Sequence, residues 1–351
     1  VTALRGGYTT GACAAAAAKA AAMVLVGESV PGTVEVTLLD GSRVALPVAS
    51  CRRLEAAAEA AVRKDAGDDP DVTDGSLIVA RVEFMAGEGV GFAAGPGVGR
   101  VTKSGLSVEP GEPAINPGPR RMIRAAVGEV TGRGLCVTIA IPGGEALAAR
   151  TFNPRLGVVG GLSILGTTGR VRPVSVPALR DALKCALDVA KACGVTAPVL
   201  VPGNIGERAA RRHLRLQPEQ VIHVGNEWGF MLGEAGRHGF ERLLLLGHPG
   251  KLAKLHEEEW DTHSSRSRSA LPVVAAQAAA LLGAPPPEAT TVEGLFAGLP
   301  PSARSRLADS LAAMVRGAVA RRLGTGLRLA VVLVNMAGDI LGADGEWAGW
   351  R

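Results

Sequence analysis

Residues 197–251 read APVLVPGNIGERAARRHLRLQPEQVIHVGNEWGFMLGEAGRHGFERLLLLGHPGK. Three times a short apolar run gives way to glycine, asparagine or histidine and then to a segment with helical spacing. The switches are Val201-Pro202-Gly203-Asn204, Val224-Gly225-Asn226 and Leu246-Gly247-His248, and a fourth follows at Val334-Asn335-Met336-Ala337-Gly338-Asp339. Buried strands separated by helices signal a parallel sheet with helices on its faces. The pattern predicts strands at Ala197–Val201, Gln220–Val224, Arg242–Leu246 and Leu327–Val334. It predicts helices at Ala178–Cys193, Ile205–His213, Glu227–His238, Pro249–His256, Ala270–Leu282 and Arg304–Leu323. Together they define an α/β domain over 178–345, with a mostly parallel sheet flanked by helices, followed by a tail over 346–351.

Upstream the pattern is different. An alanine run, Ala14 to Ala18 and Ala20 to Ala22, predicts a helix from Cys13 to Val26, because alanine is the strongest helix former and its small side chain lets other backbone approach. Either Thr9 or Thr10 can cap it. Thr33–Leu39 and Arg43–Val48 read as strands joined by an Asp40-Gly41 turn, Ser50–Arg63 as a helix, and Leu77–Phe84 and Leu135–Ile141 as strands. The glycine-dense stretch 87–119 reads as loops around short strands, either a wall or lid around a site or an irregular connection. Mixed hairpins and helices make 1–177 an α+β domain.

The chain has 351 residues, 47% hydrophobic and 20% charged, enough for two domains with large cores. Its formal charge of +5 is mild and nowhere concentrated, and only 3% of residues are aromatic, so nucleic acid is not an expected partner. Five scattered cysteines suit reduced thiols in the cytoplasm. No apolar run approaches the ~20 residues that cross a bilayer, and no signal peptide is evident. A soluble cytoplasmic protein without a membrane partner is expected.

Ligands of open α/β sheets bind beyond the carboxyl ends of the strands, where glycine permits close approach and helix N-termini offer free N–H groups. The four switches therefore predict one shelf. Gly203-Asn204-Ile205-Gly206-Glu207 is its sharpest element, although it matches neither the Gly-x-Gly-x-x-Gly fingerprint nor a phosphate loop. Glu207 can accept from ribose hydroxyls or act as a cap partner, and Asn226 and Glu227 hold the equivalent place after the next strand. Arg120 and Arg121, in Asn116-Pro117-Gly118-Pro119-Arg120-Arg121, place two guanidinium groups on a rigid turn suited to carboxylates. Cys13 sits at a helix start, a position that lowers a thiol pKa, but no histidine base is evident and a packed or substrate-lining thiol is favoured. The six histidines show no standard zinc spacing, so no protein metal site is expected.

The motifs taken in order resemble one family. They are Arg5-x-Gly7-Tyr8-Thr9-Thr10-Gly11-x-Cys13, Asn116-Pro117-Gly118-Pro119-Arg120, Ile141-Pro142-Gly143-Gly144-Glu145 and Thr151-Phe152-Asn153-Pro154-Arg155-Leu156-Gly157. Further on come Gly161-x-Ser163-Ile164-Leu165-Gly166-Thr167-Thr168-Gly169, Pro202-Gly203-Asn204-Ile205-Gly206-Glu207, Gly247-His248-x-Gly250-Lys251 and Thr262-His263-Ser264. This set is similar to the CbiD family, the cobalt-precorrin-5B C1-methyltransferases of anaerobic cobalamin synthesis. Pro249 and the Ser/Arg-rich Ser265–Ser269 depart from the family pattern, and the likeness loosens beyond Leu282.

The resemblance implies S-adenosylmethionine as cosubstrate, an anionic cobalt-tetrapyrrole as substrate, and cobalt carried by that substrate. On this reading Gly203, Asn204, Gly206, Glu207, Gly225 and Asn226 line the cofactor shelf. Thr9, Thr10, Arg120, Asn153, Arg155, Thr167, Thr168 and Lys251 hold the macrocycle. His263 and His248 are the candidate catalytic residues, His263 as a proton relay after methylation. Domain 1–177 is then the tetrapyrrole-contacting part and 178–345 the S-adenosylmethionine-binding part. A homo-oligomer, or transient contact with neighbouring pathway enzymes, is compatible with this. The alternatives are a non-catalytic tetrapyrrole carrier and a nucleotide-dependent transferase acting on an anionic small molecule.

Overall fold

The alanine run does form a helix, α1 (Thr10–Leu25), and its small side chains are closed in on every side. The fold is that of a computed structural model, which describes residues 4–173, 175–324 and 326–350. Thr9 is the cap, its Oγ1 accepting from the N–H of Ala12 at 3.2 Å. The chain divides into two compact units, one ending at Val176 and one beginning at Pro177.

In the first unit β1 (Thr33–Thr37) and β2 (Arg43–Pro47) form the expected hairpin, with Gly41 in the left-handed region at φ 83°. The segment read as a helix over Ser50–Arg63 is instead a second hairpin, β3 (Ser50–Arg53) and β4 (Ala57–Arg63). Alanine is compatible with either conformation, and here the neighbour decides. Ala58, Ala60 and Val62 stand opposite Val82, Ala80 and Ile78 of β5 (Leu77–Phe84), and all six are buried in the core that contains α1. Arg53 Nη1 reaches back to the carbonyls of Val24 and Leu25 and satisfies the C-terminal end of α1.

The sheet continues with β6 (Val90–Ala94) and β7 (Leu135–Ala140) in the order β3-β4-β5-β7-β6, antiparallel except for the β6–β7 pair. A helix over Pro117–Gly128, α2, begins where a rigid turn was expected. Pro117 sits in its first turn, where a missing N–H leaves no intrahelical bond unmade.

The glycine-dense stretch is a crossing of main chains. A Cβ on Gly97 would lie 1.9 Å from the carbonyl oxygen of Ile141, one on Gly144 2.4 Å from that of Gly97, and one on Gly161 2.4 Å from the same carbonyl. Only glycine lets three backbones pass this closely.

The second unit is the expected α/β layer structure. β8 (Val199–Val201), β9 (Val221–His223), β10 (Arg242–Gly247), β11 (Arg328–Val334) and β12 (Ile340–Asp344) form a sheet of order β9-β8-β10-β11-β12. The first four are parallel, and β12, which the sequence pattern did not reveal, runs antiparallel along β11.

Both faces are covered, which is why β10 reads Leu243 to Leu246 without alternation. Leu243 and Leu245 face one core with α3 (Val176–Ala192), α5 (Trp228–Arg237), α7 (Leu271–Leu282), α8 (Val292–Gly298) and α9 (Pro301–Leu323). Leu244 and Leu246 face the other core with α4 (Asn204–His213) and Trp350. The expected helix at Pro249–His256 is a single α-turn, α6 (Pro249–Leu252), running into a 3-10 segment, Ala253–Glu257.

Candidate functional site

Four strand ends of the second unit finish on one edge. Val201 stands opposite His223, and Gly247 opposite Leu333. The chain leaves β8 for β9 on one side and returns to β10 on the other, so strand order reverses between β8 and β10. In such sheets a crevice forms at the carboxyl side of that reversal.

The glycines of this edge differ. A Cβ on Gly203 or Gly225 would meet nothing within 4 Å, and Gly225, at φ 58°, holds a conformation that favours glycine. Asn204, next to Gly203, is exposed at the start of α4. Gly247 is closed by Pro202, 2.9 Å from where its Cβ would be. Gly206 is buried, and a Cβ there would lie 2.9 Å from both the Leu246 carbonyl and Val201 Cβ. It seats α4 against β8 and β10.

Loops following β9 and β10 meet although β8 lies between those strands. Asn226 Oδ1 accepts from Lys251 Nζ and, at 3.4 Å, from Thr262 Oγ1, and its carbonyl accepts the Thr262 N–H at 3.1 Å. Thr262 is buried, and the chain continues into His263, half-buried, with Nδ1 2.8 Å from Ser265 Oγ. Lys254, which the sequence reading passed over, enters the same cluster. Its Nζ donates to Ser267 Oγ at 2.8 Å and to the Thr262 carbonyl at 3.5 Å. Burial pushes the Lys251 ammonium below its ordinary pKa and Lys254 pushes it further, with Asp261 acting against them.

Two further pairs sit along the edge. Glu207 Oε2 lies 2.7 Å from His223 Nε2, while Glu207 Oε1 accepts from Arg211 at 2.9 Å. Glu207 and His223 are sixteen residues apart, and parallel pairing of β8 with β9 brings them together. His248 caps α6. Its Nδ1 accepts from the Gly250 N–H at 3.0 Å, so Nε2 carries the proton and donates to Glu293 Oε2 at 2.9 Å. Both ring nitrogens of His248 are therefore engaged, one on the backbone of α6 and one on Glu293.

Thr9, Thr10, Arg120, Thr167 and Thr168 lie around the N-termini of α1 and α2 and the strap Ile164–Gly169, whereas Asn153 and Arg155 lie on a separate helical turn, Asn153–Leu156. Thr9 N–H donates to the Gly169 carbonyl at 3.0 Å, and Asn116 N–H to that of Ile164 at 2.9 Å. Thr10, 3% exposed, uses its hydroxyl on both backbone groups of Leu165, at 3.0 and 3.3 Å. Arg120 latches its own loop, with Nε on the Ile115 carbonyl at 2.8 Å and its guanidinium 5.2 Å from the Phe92 ring centroid. Asn153 is buried against the Gly161 carbonyl at 3.3 Å. Each of these four side chains bonds a backbone group of its own unit. Arg155, Thr167 and Thr168 are exposed; Thr168 closes a turn on Arg170. Burial pushes the Cys13 thiol up to about 12, the reverse of the direction expected for a helix start, and the thiol is inert near neutrality.

Among the described residues no group of three His, Cys, Asp or Glu side chains is arranged to hold a metal, and no helix is long and apolar enough to cross a membrane.

Comparison with known proteins gives a consistent result. A family model described as CbiD matches residues 1–173, and one described as CbiD, C-terminal domain, matches residues 261–345, a range that extends past Leu282, where the motif likeness loosened. A cobalt-precorrin-5B C(1)-methyltransferase of Syntrophotalea carbinolica is 56% identical over 99% of both chains. One of Burkholderia vietnamiensis is 48% identical over 79% of this chain and 78% of its own. The crystal structure of a cobalamin biosynthesis protein (cbiD) from Archaeoglobus fulgidus is 30% identical, covering 70% of this chain and 78% of its own, with a TM-score of 0.38.

Proposed function

The chain belongs to the CbiD family, and we propose that it transfers the methyl group of S-adenosylmethionine to C1 of cobalt-precorrin-5B, giving cobalt-precorrin-6A. The observation that carries this reaction is the 56% identity to a methyltransferase of that name from end to end. Neither a passive carrier nor a nucleotide-dependent transferase is favoured by such a likeness.

The carboxyl edge of the second unit fits an adenosyl cosubstrate. Gly203 and Gly225 leave open space at adjacent strand ends, and Asn204 and Asn226 bring amide groups to that space. Glu207, fixed by His223 and Arg211, presents a carboxylate suited to ribose hydroxyls. The cosubstrate supplies an already activated sulfonium methyl, so the protein's task is alignment of the reacting atoms. Lys251 grips an anionic group, and His263 exchanges a proton as the ring adjusts its tautomer after methylation. Arg155, Thr167 and Thr168 of the first unit touch the periphery of the macrocycle, with Thr9, Thr10, Arg120 and Asn153 holding that surface in place. In this reading the first unit is the tetrapyrrole-contacting part and the second the S-adenosylmethionine-binding part. Cobalt arrives with the substrate, and the scattered thiols suit the reducing cytoplasm.

The test is incubation of the folded protein with methyl-labelled S-adenosylmethionine and intact cobalt-precorrin-5B. Label at C1 of the product is expected. A macrocycle recovered without label overturns the reaction.

A further inference from the structure

Three lysines withdrawn from water in this protein, Lys19, Lys64 and Lys184, meet an acid. Lys64, almost wholly buried, lies 2.7 Å from Asp71, and Lys19 lies 2.5 Å from Glu129. Lys251 and Lys254 are different. Lys254 is 8% exposed and Lys251 half-buried, yet their ammonium groups are met by Ser267 Oγ, the Thr262 carbonyl and Asn226 Oδ1, all neutral. Among the described residues neither forms a salt bridge. Asp261, whose charge reaches Lys251, is already committed to Arg266 Nε at 2.5 Å and to the His263 N–H at 3.0 Å.

Glu259, whose charge reaches Lys254, is likewise paired with Arg268 at 2.7 Å. Two neighbouring ammonium groups held out of water with no carboxylate in contact destabilise a fold, through both desolvation and mutual repulsion. A bound anion removes both penalties. The pair also lies at the strand edge where Gly225 leaves open space beside Asn226.

We propose that Lys251 and Lys254 form a seat for one ligand carboxylate, Lys251 touching it and Lys254 acting as a positioning residue that sets the field behind it and holds the Thr262–Ser267 turn. The class of ligand is a flexible carboxylate carried on a larger molecule. Its two sources rest on the methyl-transfer reading: the methionyl carboxylate of the cosubstrate, or an acetate or propionate arm of the macrocycle.

The test uses the full chain carrying Lys251→Met, with Lys251→Gln as a second variant that keeps a polar group on Asn226. Binding is measured for S-adenosylhomocysteine, for 5′-methylthioadenosine, which lacks the amino-acid end, and for cobalt-precorrin-5B. Loss of a charge-assisted hydrogen bond is expected to weaken one carboxylate ligand about 10- to 100-fold. If the seat takes the cosubstrate, S-adenosylhomocysteine weakens while methylthioadenosine and the macrocycle do not. If it takes the macrocycle, cobalt-precorrin-5B alone weakens. Unchanged affinity for all three overturns the seat.

Lys254→Met is expected to weaken the same ligand selectively. If it lowers thermal stability and weakens all three ligands equally, Lys254 only holds the turn and its part of the proposal falls. The two readings fail separately. Wild-type methyl transfer with unaltered binding by Lys251→Met removes the seat alone, whereas selective weakening of S-adenosylhomocysteine without wild-type transfer removes the reaction alone.

Discussion

Glycine and hydroxyl residues crowd both units, but they are used differently. In the first unit Gly97, Gly144 and Gly161 let main chains cross, and the hydroxyls of Thr9 and Thr10 are turned onto backbone groups. In the second, Gly203 and Gly225 stand beside open space, and next to Gly225 two lysines gather around Asn226 and the Thr262–Ser267 turn with neutral groups as their hydrogen-bond partners. A motif therefore signals that a residue type is required, while burial and partners decide whether the requirement is architectural or chemical.

That contrast can be broken by substitution. Gly161→Ala places a methyl group 2.4 Å from the Gly97 carbonyl carbon and oxygen, neither of which can move without the sheet. A loss of more than about 3 kcal/mol of stability is expected in denaturant unfolding, and near-wild-type stability would mean the crossing is looser than its geometry. Thr10→Val strips the Leu165 N–H of its partner, while the Leu165 carbonyl keeps the Gly11 N–H at 3.1 Å, and is expected to cost about 1–3 kcal/mol, with KM for the macrocycle unchanged at a permissive temperature. If methyl transfer falls while the unfolding midpoint stays, Thr10 belongs with the ligand contacts. Gly203→Ala should change stability by less than about 0.5 kcal/mol while weakening S-adenosylhomocysteine. Equal affinity in titration calorimetry would place the adenosyl group elsewhere.

Much of the second unit could be read directly from the chain. Continuous apolar runs such as Leu243 to Leu246, closed by Gly247, admit few readings besides buried parallel strands, and the same switches place the strand ends on one edge. The hairpin at Ser50–Arg63 could not be read so, because the choice between helix and strand for Ala57, Ala58, Ala60 and Ala61 is made by α1 and β5, which lie elsewhere in the chain.

Sites showed the same division. Gly203 and Asn226 were visible as turn chemistry at strand ends. Lys254 was hidden, because burial of its ammonium depends on the Thr262–Ser267 turn folding back over it. The Glu207–His223 pair needs the parallel register of β8 and β9, and nothing in a spacing of sixteen residues reveals it. His248 looked reactive by type alone, and only its two bonds show the ring to be fully occupied.

The alanines of α1 also bear on how the first unit can fold. A leucine sealed in their place would surrender rotamer freedom worth about 0.5–1 kcal/mol, whereas alanine has none to lose. Across its alanines the central helix of that unit thus enters the interior at almost no side-chain entropic penalty, which is confined to Thr10, Cys13, Lys19 and the closing Met23-Val24-Leu25.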